Sequence, residues 1–405
     1  MKLKKILFVI SFLAFGMAKA QFLTREDSLN AGITPSMKSV ILSGYGEAKY
    51  VYDVNQKTAK INLTRNVLFV GYKFSNKITF FSEMEVEDAK LDGGGGEIAM
   101  EQCVLKFDLN RNQYLLAGLF LPRIGLMNEN HLPITFHGND RPKVEKWVIP
   151  STWRELGIGF YGSSLRMPGL NYSIALVNGL DGKSLTGGTG IRDGRFEGRD
   201  ASATNLACTG SLLYFRGPWR IQFSGYIGGT IGMSPSEAKL LNLQGGTFGT
   251  PAALGEGNLS YRKNGFSFKG LAAYGAIPDA KKLNHVYQQD VSSSFYGYYV
   301  EGAYDLLEKT KYKAALKQFN LFLRYEGLNL VGNLPSNAQI SNQYMQQYLI
   351  SGFTYLPTRG VAVKLDWNHV VTGGMGLDTF VKGRNASNSG IQADDYLQLG
   401  IAYSF

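Results

Sequence analysis

The sequence predicts an all-β fold: a transmembrane antiparallel β-barrel of about sixteen strands with one long loop folded into its pore. Three observations carry this. Segments of about ten residues alternate in polarity, which is the length and period a tilted membrane-crossing strand needs. The connections between these segments alternate short and long along the chain. After the first twenty residues, no stretch approaches the ~18 consecutive apolar residues of a membrane-crossing helix.

Composition agrees. Of 405 residues, 49 are Gly, 23 Tyr and 24 Phe, while charged residues make up 18%. Glycine is well above its usual ~7% and charge below the usual ~25%. So many aromatic residues argue against disorder. With 4 His and 2 Cys, a disulfide scaffold or a zinc or thiol enzyme has little to build on.

Residues 1–20 read as a secretory signal peptide: a basic start, an apolar run, then Met17-Ala18-Lys19-Ala20 with small residues where a signal peptidase cuts. Cleavage after Ala20 removes Lys2, Lys4, Lys5 and Lys19 and lowers the net charge from +10 to +6. Residues 21–39 are then a periplasmic segment too short for a plug domain, and 40–405 form the barrel.

The strands follow in order. They are expected near 40–53, 58–74, 77–88, 97–108, 112–120, 155–165, 169–178 and 202–216. Eight more are expected near 218–232, 253–263, 265–276, 294–305, 317–328, 345–356, 359–372 and 392–405. In the first, Ile41, Ser43, Tyr45, Glu47 and Lys49 oppose Leu42, Gly44, Gly46, Ala48 and Tyr50, so charge is confined to one face. In the third, Glu83, Glu85 and Glu87 share a face; carboxylates there are costly against lipid and so belong on the lumen side. In the last, Leu397, Leu399, Ile401, Tyr403 and Phe405 form an apolar face that ends the chain. Tight connections carry turn chemistry at Ser75-Asn76, Met167-Pro168, Gly217, Asn264 and Pro357-Thr358. Long connections fall at about 121–154, 179–201, 233–252, 277–293, 329–344 and 373–391. Short turns on the periplasmic side and long loops outside are how outer-membrane barrels are built. Sixteen strands leave an aqueous channel.

The loop at about 121–155 is the strongest functional candidate. Pro122, Pro133, Pro142 and Pro150 stiffen it, and loops of this length are commonly functional. Folded into the barrel, it would narrow the pore, with Arg123, Arg141, Lys143, Lys146 and Arg154 as anion-contacting candidates. The competing reading is that these cations only brace the loop through salt bridges. Loop 179–201 has Lys183, Arg192, Arg195 and Arg199 balanced by Asp181, Asp193, Glu197 and Asp200, and reads as a solvated external loop. The glycine run 93–96 lacks the Lys-Ser/Thr of a phosphate-binding loop and reads as a hairpin tip. His131, His137, His285 and His369 show no metal-ligand spacing, and no nucleophile elbow is present, so no metal, no cofactor and no catalysis are expected. Cys103 and Cys208 lie on distant strands and read as small apolar residues.

One segment, 83–162, resembles the phosphate-selective porin O and P family in the form common in Bacteroidetes-type bacteria. The matching pieces are Glu83-Met84-Glu85-Val86-Glu87, Ala117-Gly118-Leu119-Phe120-Leu121-Pro122 and Asn128-Glu129-Asn130-His131-Leu132-Pro133. They continue with Arg141-Pro142-Lys143-Val144-Glu145 and Ile149-Pro150-Ser151-Thr152-Trp153-Arg154-Glu155-Leu156-Gly157. Ser43-Gly44-Tyr45-Gly46 and Phe405 extend the likeness to both ends. The resemblance implies a sixteen-stranded, homotrimeric outer-membrane channel that passes small anionic or polar solutes, phosphate being the namesake. Lipid and lipopolysaccharide are the expected surroundings; nucleic acid is not an expected partner. The alternative is a barrel acting as an adhesin or surface enzyme through its external loops.

Overall fold

A computed structural model describes residues 40–92, 95–313, 315–384 and 390–405. The expected signal peptide and the 21–39 segment lie outside the described residues, as do Gly93 and Gly94 of the glycine run.

Sixteen antiparallel strands form one closed barrel. They are β1 (Val40–Asp53), β2 (Thr58–Lys73), β3 (Ile78–Asp92), β4 (Gly95–Asp108), β5 (Gln113–Phe120), β6 (Glu155–Ser163), β7 (Leu170–Asn178) and β8 (Leu206–Arg216). The second half comprises β9 (Trp219–Gly229), β10 (Pro251–Lys263), β11 (Phe266–Ala276), β12 (Ser294–Asp305), β13 (Gln318–Asn333), β14 (Met345–Thr358), β15 (Val361–Thr372) and β16 (Gln392–Ser404). Short helices occupy four of the long connections: α1 (Lys143–Trp147), α2 (Pro235–Leu240), α3 (Ala280–Tyr287) and α4 (Leu377–Arg384).

Closure is the physical requirement of the fold. In hydrocarbon every backbone N–H and C=O needs a protein partner, and an open sheet edge has none. Here β1 pairs with β16, from Tyr45 opposite Ser404 to Asp53 opposite Tyr396. The last residue completes the seam: Gly44 and Phe405 exchange two backbone hydrogen bonds of 3.1 and 2.9 Å. The Phe405 ring lies over Gly44 so closely that a Cβ there would sit 2.7 Å from it, which explains glycine opposite the terminal aromatic.

Each strand turns one face to each side. Ile158, Ile174, Leu212, Phe223, Ile227, Leu323 and Ile401 are exposed on the outside. Ser211, Gln222, Ser224, Glu256 and Asp366 are buried on the inside. The outer set is what lipid would cover. At the tight-turn rim, aromatic rings gather as expected at a membrane interface. Trp219 and Tyr261 have centroids 4.7 Å apart, Tyr261 and Phe266 6.2 Å, and Phe319 and Phe353 5.1 Å. The β10–β11 turn has Asn264 and Gly265 both at positive φ, the two-residue hairpin geometry that suits twisted strands.

Expected and observed boundaries differ at a few ends. β8 begins at Leu206, not 202. Asn205 there donates its side-chain amide to the carbonyls of Leu180 and Gly229, pulling the chain off the ladder. β13 runs five residues beyond its expected end, to Asn333, because it pairs with β12 as far as Ser294. Both cysteines are free; Cys103 is exposed on the outer face.

Candidate functional site: the constriction loop

The connection between β5 and β6 turns inward and is almost wholly buried; Asn130 and Lys146 are its exposed residues. At its two ends it packs through apolar side chains. Ile124, Val148, Ile149 and Trp153 are fully buried together with Leu116 and Phe120 of β5 and Tyr226 of β9. The Trp153 ring lies 4.6 Å from that of Tyr226, and its indole N–H donates to Glu155 at 2.8 Å.

The middle of the loop attaches by polar contacts around the barrel. Arg123 pairs with Glu129 at 2.5 Å, and Glu129 also meets Arg220 of β9. Asn139 donates its backbone and side-chain N–H groups to Asp366 of β15 at 2.7 and 2.6 Å. Lys364 donates to the Gly138 carbonyl at 2.8 Å. Asp140 sits between Lys49 of β1 and Lys143, at 2.7 and 2.8 Å. Burial would raise the Asp140 carboxyl, but the Lys143 and Lys49 ammonium groups outweigh it and hold the carboxyl well below the usual carboxylate range. Helix α1 presents its Val144 N–H to Glu326 of β13 at 3.1 Å. Glu145 accepts from the Leu126 and Met127 N–H groups and from the Tyr299 hydroxyl of β12. On the other side, His131 lies 3.3 Å from Glu83 of β3 and 3.6 Å from Glu101 of β4. The loop therefore spans the lumen from the β3–β4 wall to the β12–β13 wall opposite.

The five candidate cations separate into two kinds. Arg123 is paired with Glu129 and stacked over the Tyr161 ring, Lys143 with Asp140, and Arg154 with Glu197 at 2.9 Å. These three brace the loop. Arg141 and Lys146 have no ion pair among the described residues; the Arg141 Nε and one terminal nitrogen are buried without a hydrogen-bond partner. Lys146 stands over the Trp147 ring at 5.3 Å. Partial desolvation, then the charges of Lys143 and Arg192, lower the Lys146 ammonium to about 8. Glu83, Glu85 and Glu87 lie on the lumen side. Glu85 pairs with Arg65 at 2.9 Å, Glu83 accepts from Gln102 at 2.7 Å, and Glu87 is the most exposed of the three.

Loop 179–201 corrects one expectation. It is docked, not solvated: Leu180, Leu185 and Ile191 are fully buried. Arg192 donates to the Lys146 carbonyl at 3.0 Å and lies over the Trp147 ring, while Arg195 donates to the Pro150 carbonyl at 3.2 Å. Its balanced charges suggested a loop facing water. The apolar residues spaced through its glycines were the available signal that it packs. Arg192 thus joins Lys146 at the constriction, although sequence reasoning left it outside.

Comparison with known proteins gives the same architecture. No family model matches the chain. An uncharacterized protein of Aquifex aeolicus is 29% identical over 348 residues, 82% of this chain and 75% of that protein. Among solved structures, Salmonella typhi OmpF, in complex with daunomycin, aligns with a TM-score of 0.53 at 11% identity, covering 90% of this chain and 97% of that one. Pseudomonas putida OprB aligns at 0.53 and 10%, covering 91% and 94%. An anion-selective porin from Comamonas acidovorans aligns at 0.50 and 12%, covering 91% and 99%. At these identities the likeness speaks for the fold. The chain has the closed sixteen-strand barrel of outer-membrane porins, and its apolar exterior and closed ladder fit it to an outer membrane.

Proposed function

We propose that the protein is an outer-membrane porin through which small polar solutes diffuse passively, with a preference for small anions of the phosphate class. One observation carries the sign of the preference. Lys146 is exposed in the constriction without an ion-pair partner, beside Arg192, and Arg141, next to the carboxylates of the β3–β4 wall, makes no ion pair either, whereas Glu85 and Glu129 are tied to arginines. Unpaired cations at a narrow point offset part of the hydration an anion loses on entry. The resemblance to the phosphate-selective porin O and P family and the fold shared with an anion-selective porin support the same reading. A homotrimer set in lipid and lipopolysaccharide, delivered by a cleaved signal peptide, belongs to this proposal. The test is the reversal potential of single channels in planar bilayers under a KCl gradient. Replacing Arg141 and Lys146 together with Gln should move selectivity toward cations, by several-fold in the permeability ratio. Replacing the bracing Arg154 should not. An unchanged reversal potential in the double variant overturns the anion reading.

A further inference from the structure

We propose that Glu83, Glu101 and His131 form a binding site for one divalent transition-metal cation of the zinc type, which ties the constriction loop to the β3–β4 wall. Residue spacing gave no hint of it, because its three donors come from two strands and a loop.

A β-bulge builds the site. Glu83 pairs with Gln102 and Met84 with Met100, so Glu101 is the extra residue of β4. A bulge re-aims a side chain, and bulges concentrate beside functional sites. Here it places Glu101, fully buried, next to Glu83, and the loop lowers His131 onto the pair. The three donor atoms lie within 4.8 Å of one another. His131 Nε2 is 3.3 Å from Glu83 and 3.6 Å from Glu101. Charge-assisted hydrogen bonds are shorter, about 2.7–2.9 Å. A tetrahedral ion with ligands at about 2.0–2.2 Å holds them roughly 3.3–3.6 Å apart.

Three further features fit a cation. One Glu101 oxygen, Oε1, is buried and accepts no hydrogen bond. Uncompensated burial of a carboxylate oxygen is costly, and a metal held by both Glu101 oxygens, with Oε2 the one facing His131, would satisfy it. Glu83 is also oriented from behind: Gln102 donates to its Oε2 at 2.7 Å, which leaves Oε1 toward His131, while the Tyr45 hydroxyl donates at 3.2 Å to Glu101 Oε2, the oxygen that faces His131. Such outer hydrogen bonds typically accompany metal-bound carboxylates. Finally, Glu47, Glu83, Glu85, Glu87 and Glu101 share this wall with Arg65, Arg141 and His131, so acidic groups outnumber basic ones beside the site. An imidazole with two carboxylates suits zinc better than calcium or magnesium, which prefer all-oxygen shells.

The experiment uses the full folded chain in detergent, stripped with EDTA and titrated with zinc chloride by calorimetry. One zinc per chain is expected, with affinity at least tenfold weaker in both Glu101→Gln and His131→Gln. Heat-modifiable migration on gels reports whether each variant is folded. Zinc-edge X-ray absorption of the loaded wild type should show nitrogen and oxygen ligands at about 2.0–2.1 Å, a readout that needs no variant. Wild-type chain that takes up no stoichiometric zinc, or folded variants that bind it as well as wild type, overturns the proposal and leaves His131 as an ion-pair partner of the two carboxylates. Neither result depends on solute selectivity, so this site and the proposed anion preference stand or fall separately.

Discussion

The constriction loop is attached to the barrel by two different chemistries. Its ends, around Ile124 and from Val148 to Trp153, belong to the main apolar core, with Trp153 against Tyr226 of β9 and Val148 beside Gly297 of β12. Its middle, from Glu129 to Lys146, adds ion pairs and hydrogen bonds to β1, β3, β13 and β15 to the apolar contacts of Ile134 and Val144. Apolar burial is non-directional and involves no charge for pH to titrate or salt to screen. Polar contacts are directional, and they respond to both. The loop is therefore anchored by its ends and tuned in its middle, and the tuned part carries the unpaired cations.

The largest expected effect comes from breaking the apolar anchor. Trp153→Ala removes a fully buried indole and should cost about 3–5 kcal/mol, read as a lowered urea midpoint in lipid vesicles. It should also raise conductance as the loop loosens. Breaking one polar anchor should do less. Asp366→Ala leaves the Asn139 N–H groups without their acceptor and should cost about 1–3 kcal/mol. It should shift selectivity more than stability, and a conductance change as large as that of Trp153→Ala would collapse the distinction between the two attachments. The smallest effect needs no mutation. Lys146 is charged below about pH 8 and neutral above it. Anion preference should therefore weaken as pH rises through 8, and Lys146→Gln should flatten that profile. A profile that persists in the variant would assign the titration to another group.

How much of this was legible beforehand depends on how local each cause is. The strands were, because alternation is a property of consecutive residues: β1 and β12 fall where the pattern puts them, at 40–53 and 294–305. The lumen face of Glu83, Glu85 and Glu87 followed from the same parity. That the loop turns inward followed from its length and prolines, and the structure has it inside. Which of its cations are free did not follow. Arg123, Arg141, Lys143, Lys146 and Arg154 look alike in sequence, and only their neighbours separate the braces from the free charges. Loop 179–201 was misread because its charges cancel locally, while the wall that buries Leu180 and Ile191 is distant in sequence.

Polarity alternation and connection length, both short-range properties, are what the amino-acid order alone determined here: a barrel with sixteen staves, a wet interior and an inward loop. The pairing of individual side chains was decided only in three dimensions. Lys49 meets Asp140, and Asn139 meets Asp366, across separations of 91 and 227 residues. The bulge that turns Glu101 toward Glu83 and His131 depends on how β3 and β4 register. Contacts between such remote groups depend on closure of the whole sheet, and no local pattern encodes them.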